Sequence, residues 1–168
     1  MTEPVAASSV LVLCYSLGGK TIGLCKRLVA AEGYDLEEVK PVKPISKVGA
    51  FFKIPMVMAG KGIAVNPIAA DWNKYEKVII AGPVWAGSPA PVLKGLFGQY
   101  PVRGKTVVGL LTCQGGAGAS TGYMRDLISE GGGVCEDVII ISGKEPSGKA
   151  LLEATGPVTM DKIIAARI

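Results

Sequence analysis

Four stretches of the chain are apolar without in/out alternation: Val10 to Tyr15, Val78 to Ala81, Thr106 to Thr112 and Val134 to Ile141. A weaker fifth run covers Tyr34 to Val39. Continuous apolar character, rich in branched side chains, is the mark of strands buried on both faces of a parallel sheet. Between these runs the apolar period becomes helical. Ile22, Cys25 and Val29 share one face, Leu93, Leu96 and Phe97 follow Pro91 in a first turn, and Met124, Leu127 and Ile128 precede a Gly131-Gly132-Gly133 stop. A last amphipathic segment places Met160, Ile163, Ile164 and Arg167 after Pro157. The alternation predicts an α/β chain with a doubly wound parallel sheet and helices on both faces. The third, fourth and fifth strands start about 28 residues apart, as repeated strand-helix units require. Residues 1–168 read as one domain, the natural expectation for this length.

The interval from Lys40 to Glu76 breaks the rhythm. It holds Pro41, Pro44, Pro55 and Pro67 and an apolar cluster of Phe51, Phe52, Ile54, Met56, Val57 and Met58. A helix over Val48 to Met58 must be interrupted or kinked by Pro55. The expected role of the cluster is ordinary core at the sheet edge, with a subunit interface as the sharper alternative.

Composition narrows the chemistry. There is no histidine, which excludes Ser-His-Asp and Cys-His nucleophile systems and histidine-ligated metals. No catalytic side chain and no metal site stands out, so any chemistry must come from other side chains or from a cofactor. Glycine, at 23 residues, is about twice its usual share of roughly 7%. Such an excess belongs where backbone must turn tightly or approach a ligand.

The net charge of +4 is too mild to argue for nucleic acid. Its distribution is uneven: Lys40, Lys43, Lys47, Lys53 and Lys61 fall between Val39 and Ala70 with no acidic residue among them. That stretch is either a solvated connection or a positive rim for an anionic substrate, cofactor phosphate or acidic partner. Cys14, Cys25, Cys113 and Cys135 have neither zinc nor disulfide-framework spacing and fit reduced cytosolic thiols. With no basic leader before the first apolar run and no apolar stretch of membrane-spanning length, the expectation is a cytoplasmic protein with no membrane partner.

In an open α/β sheet, ligands bind beyond the carboxyl ends of the strands. Three glycine-bearing segments fall there. The first, Tyr15-Ser16-Leu17-Gly18-Gly19-Lys20-Thr21, leads into a helix, whose initial amides, together with Ser16, Lys20 and Thr21, make an anion site. The plain alternative is a glycine turn capped by Thr21. Gly19-Lys20-Thr21 also matches the end of a nucleotide-binding P-loop, but the first glycine of that motif falls on Cys14. No strand ends in the acidic magnesium ligand that such a site requires, so this reading ranks last. The second segment runs through Pro83, Val84, Trp85, Ala86 and Gly87. Its tryptophan is placed either to stack on a flat ligand or to cover the sheet end. The third, Thr112-Cys113-Gln114-Gly115-Gly116-Ala117-Gly118, brings close-approaching backbone to the same edge.

With these motifs the sequence resembles the flavodoxin-like family of FMN-binding proteins, particularly the short-chain type with Tyr-Ser-x-x-Gly-x-Thr after one strand and Gly-Thr-Pro-Val-Trp-Ala-Gly-x-Pro-Ala-Pro after a later one. The resemblance implies a five-stranded parallel sheet in the order 2-1-3-4-5 and FMN as cofactor. Residues from Ser16 to Thr21 would hold its phosphate, Pro83 to Gly87 would line one side of the isoalloxazine with Trp85 stacking on it, and Thr112 to Gly118 would close the other. Two positions depart from the family: Gly18 stands where a hydroxyl residue is common and Lys20 where Asn is. The implied activity is that of an NAD(P)H-dependent reductase or an electron-transfer flavodoxin with a small-molecule or protein redox partner. The third segment has no aromatic, and the +5 stretch suits dinucleotide phosphates, which tilts the reading to the reductase. A flavodoxin-like module that has lost FMN and serves binding or regulation is the alternative. The apolar crossover is compatible with a homodimer.

Overall fold

The computed structural model describes residues 10–143. The expected final helix around Met160 to Arg167 lies outside them. In chain order the elements are β1 (Val10–Cys14), α1 (Lys20–Glu32), β2 (Asp35–Glu38), α2 (Lys47–Phe51), α3 (Ile54–Met58), a 3-10 turn (Trp72–Lys74), β3 (Lys77–Trp85), β4 (Ser88–Pro89), α4 (Pro91–Gln99), β5 (Thr106–Cys113), α5 (Ser120–Glu130) and β6 (Val134–Ser142).

Five strands form a parallel sheet in the order β2-β1-β3-β5-β6, the predicted 2-1-3-4-5 arrangement. The strand count is six rather than five, because the two-residue β4 folds back antiparallel on the end of β3. Pairing places Val12 between Leu36 and Ile79, and Ile80 between Leu13 and Gly109, so the central strands are covered on both sides.

Alternate residues of these strands point to opposite faces. Leu11, Leu13, Val78, Ile80, Val107 and Leu111 pack with Val92, Leu93 and Leu96 of α4 and with Met124 and Ile128 of α5. Val10, Val12, Ile79, Ala81, Val108 and Leu110 pack with Leu24, Cys25 and Leu28 of α1. Both faces are therefore apolar, and this is why the sequence shows unbroken runs instead of alternation.

The edge strand β2 is polar, Asp-Leu-Glu-Glu, and its Glu37 carboxylate accepts from the amides of Ala69 (2.5 Å) and Ala70 (2.7 Å). That pair ties the returning crossover to the sheet edge. Lys105 does the same at the start of β5. Its ammonium lies 4.8 Å over the Trp72 ring and donates to the carbonyls of Trp72 and Tyr75 at 2.9 and 2.6 Å, with burial pushing its pKa down.

The crossover itself corrects the sequence reading. Residues 42–64 leave the sheet as a closed excursion. Its neck is tied by the Pro41–Val65 bridge, by Val42 N–H to Ala64 C=O (3.0 Å) and by Asn66 N–H to Lys40 C=O (2.8 Å). Instead of one helix broken at Pro55 there are two, α2 capped by Ser46, whose hydroxyl accepts from the Gly49 amide at 2.9 Å, and α3 with Pro55 in its first turn, where proline has no ladder bond to lose. The apolar cluster is not core: of its six members only Val57 is buried, while Phe51, Phe52 and Met58 are exposed. Helices of five residues present too narrow a face to bury a cluster of that size. No helix among the described residues is long and apolar enough to cross a membrane.

Candidate functional site

The three glycine-bearing segments meet at the carboxyl end of the sheet around one cavity of about 500 Å³. Ser16, Leu17, Gly18, Lys20 and Thr21 line it from the first segment, residues 83–87 from the second, and residues 112–116 from the third. The volume falls within the range of about 300–1,000 Å³ usual for small-ligand sites.

Tyr15 and Gly19 do not reach the cavity wall, but each shapes it. Tyr15 is buried, its hydroxyl has no hydrogen-bond partner, and its ring meets Trp85 edge-on at 6.1 Å and 69°. Burial raises its pKa. Gly19 has φ +81° and is the N-cap of α1, and its amide donates to Ser16 Oγ at 3.1 Å. The first bond of the α1 ladder runs from Gly23 N–H to Gly19 C=O at 3.0 Å, so the amides of Lys20, Thr21 and Ile22 precede the ladder and have no intrahelical acceptor. The space above Gly18, Gly19 and Gly116 is open: a Cβ built on any of them would meet nothing within 4 Å.

Thr21 does not cap the helix. Its hydroxyl lies 2.7 Å from that of Thr112, and both residues are buried, so one hydrogen bond joins the start of α1 to the end of β5 across the cavity floor. The neighbouring Cys113 thiol donates to the Gly115 carbonyl at 3.1 Å. Beneath the first segment, Cys14 of β1 is buried beside Cys25 of α1. The hydrogen bond to Cys25 and then burial push the Cys14 thiol well above its ordinary pKa, consistent with an inert thiol at Cys14.

The second segment is more regular than a proline- and glycine-rich sequence indicates. β3 continues through Gly82, Pro83, Val84 and Trp85, with Gly82 and Pro83 paired to Leu111 and Thr112, so Gly82 is buried strand and not ligand loop. The chain then reverses over Ala86 and Gly87, with Trp85 paired to Ser88 and Val84 to Pro89. Both turn residues have positive φ, 48° and 75°, the signature of a two-residue primed hairpin turn. This hairpin holds Trp85 half-exposed at the cavity.

Ala117 and Gly118, expected with the third segment, do not line this cavity. Gly118 backs onto the hairpin, where a Cβ on it would come within 2.7 Å of Gly87 Cα. It faces a second cavity of about 640 Å³ between the hairpin, α3, α4 and α5. The sequence reading missed one lining residue, Lys47, the first residue of α2. Its signal was present in the lysine-rich stretch, but nothing in the sequence says which lysine folds toward the glycine loops.

No family model matches the sequence, and no curated protein matches it. Solved structures do. A Bacteroides eggerthii protein provisionally described as a flavoprotein superposes with a TM-score of 0.68 at 21% identity, covering 84% of this chain and 92% of its own. A Lactobacillus acidophilus flavoprotein in complex with FMN gives 0.63 at 23%, covering 78% and 91%. Fusobacterium nucleatum flavodoxin bound to flavin mononucleotide gives 0.52 at 12%, covering 93% and 95%. Together with the strand order and the three segments converging at one sheet end, these superpositions establish that the chain has the flavodoxin-like α/β fold.

Proposed function

We propose that this protein binds FMN noncovalently in the cavity at the carboxyl end of the sheet and acts as an NAD(P)H-dependent reductase. The observation that carries the reading is the lining of that cavity, which brings the start of α1 with Ser16, Lys20 and Lys47 together with the partly buried ring of Trp85. An anion site and an aromatic platform in one space are what a flat phosphorylated ligand needs.

The residues present fit the group. Open space over Gly18 and Gly19 would admit phosphate oxygens to the helix start, and the two lysines offer charged donors in place of the hydroxyl donor that Gly18 lacks. Bound flavin would supply the redox chemistry. The chain's own part is to bind and orient. The Thr21–Thr112 bond fixes the start of α1 against the end of β5, two of the segments that would hold the ligand. Trp85, propped by Tyr15, would present its face to one side of the ring, and the backbone of Ala86 and Gly87 would meet the ring edge. Gln114, Gly115 and Gly116, none of them aromatic, would meet the other side of the ring and would leave that face to a nicotinamide. The lysines at the rim suit the phosphates of such a donor.

The test starts with the visible spectrum of the purified protein. Yellow absorbance with a releasable FMN-sized ligand, bleached by NADH or NADPH, is the expected result. Reduction only by a ferredoxin-type reductase would make the protein an electron carrier, and a colourless protein that refuses added FMN would make it a flavodoxin-like binding module.

A further inference from the structure

We propose that the 42–64 excursion is a docking surface for an anionic lipid membrane, independently of what the cavity binds. Of the seven large hydrophobic side chains exposed among the described residues, five lie here: Val42 (55% exposed), Val48 (70%), Phe51 (70%), Phe52 (74%) and Met58 (75%). The Phe51 and Phe52 rings meet each other edge to face at 6.0 Å. Water-facing aromatics concentrated in one short segment mark an interaction surface, since isolated exposed hydrophobics are normally scattered.

The excursion is also held firmly enough to present them. Its neck is closed by backbone hydrogen bonds, Val57 is buried, and Ile63 N–H donates to Pro91 C=O at 2.9 Å, fixing the return strand on α4. The apolar side chains are therefore displayed by an anchored finger.

Charge selects the occupant. Lys43, Lys47 and Lys61 are exposed and Lys53 is half-buried, with no acidic residue anywhere in the finger. A second copy docking here about a two-fold axis would bring the same lysines face to face. Cations used in protein interfaces are enriched in arginine and depleted in lysine, and this finger has lysine alone. A layer of anionic headgroups asks only for point charges around apolar side chains that dip below them, which is the composition found. The finger would lie on the bilayer surface, with its apolar side chains among the headgroups. The inference runs counter to the expectation, drawn from the sequence, of no membrane partner, and the same experiment decides between them.

Sedimentation of the full-length protein with phosphatidylcholine vesicles, with and without phosphatidylserine, tests it. Binding should be at least about tenfold tighter to the anionic vesicles and should weaken as salt is raised. The Phe51→Ser/Phe52→Ser variant and the Lys43→Gln/Lys53→Gln/Lys61→Gln variant should each lose about tenfold in vesicle affinity, the second also flattening the salt dependence, with unchanged circular dichroism. No sedimentation with phosphatidylserine vesicles, or affinity unaltered in both variants, would overturn the proposal. So would binding to polyglutamate without binding to vesicles, which would assign the finger to an acidic protein, or a dimer dispersed by the phenylalanine variant in the absence of vesicle binding.

Discussion

Ala86 is the only non-glycine residue with positive φ among the described residues, and it sits in the turn that carries Trp85 to the cavity. A Cβ in the left-handed region costs about 1–2 kcal/mol, while the extra freedom of glycine in the unfolded chain costs about 0.4–1 kcal/mol. Ala86→Gly should therefore stabilise the fold by up to about 1 kcal/mol, read as a higher urea midpoint. Strain retained at such a position is a common property of functional sites. The Thr21–Thr112 pair predicts the opposite sign. Thr21→Val leaves the Thr112 hydroxyl buried without its partner and should cost about 1–3 kcal/mol, whereas Thr21→Val/Thr112→Val should recover part of the loss. A denaturation double-mutant cycle measures the coupling directly.

Helix α4 holds two glycines that differ only in what lies above them. Alanine improves a helix interior by up to about 1 kcal/mol over glycine, and a Cβ on Gly98 would meet nothing within 4 Å, so Gly98→Ala should stabilise. A Cβ on Gly95 would lie 1.7 Å from the Ile63 carbonyl oxygen, where the excursion's return strand crosses the helix. Gly95→Ala must push that segment away, at about 1–3 kcal/mol, and should speed tryptic cleavage after Lys53 and Lys61. Sequence legibility follows the same line between local pattern and tertiary approach. β1, β3 and β5 are readable because both their faces are covered, and β6 because its second half, from Val138, is largely buried. β2 gave a weak signal because Glu37 and its neighbours serve an edge. The hairpin at residues 84–89 read as loop because proline and glycine usually break strands, and a positive φ at alanine leaves no trace in composition. The finger read as core because an apolar cluster looks the same in sequence whether covered or displayed. Most of the cavity wall was legible from its glycines and Trp85, but Lys47 arrives from a distant helix and was not.

At the scale of the molecule, the cavity is built by segments following three different strands, so a ligand bound there ties β1, β3 and β5 together. Any ligand that binds only the folded state raises stability by mass action, by about 2.7 kcal/mol at a hundred times its dissociation constant. Thermal melts with excess FMN should shift upward, and riboflavin, which lacks the phosphate that the proposal sets against α1, should give a smaller shift at equal concentration. Equal shifts would mean that the α1 amides and the lysines make no contribution. The cysteine pair beneath the same segment offers a second readout. Cys14 and Cys25 are wholly buried, one on the strand and one on the helix that flank residues 15–19. A maleimide has no access to either while α1 lies on the sheet. Their labelling rate is thus a clock for the lifting of α1, set into the chain without engineering, and bound FMN should slow it.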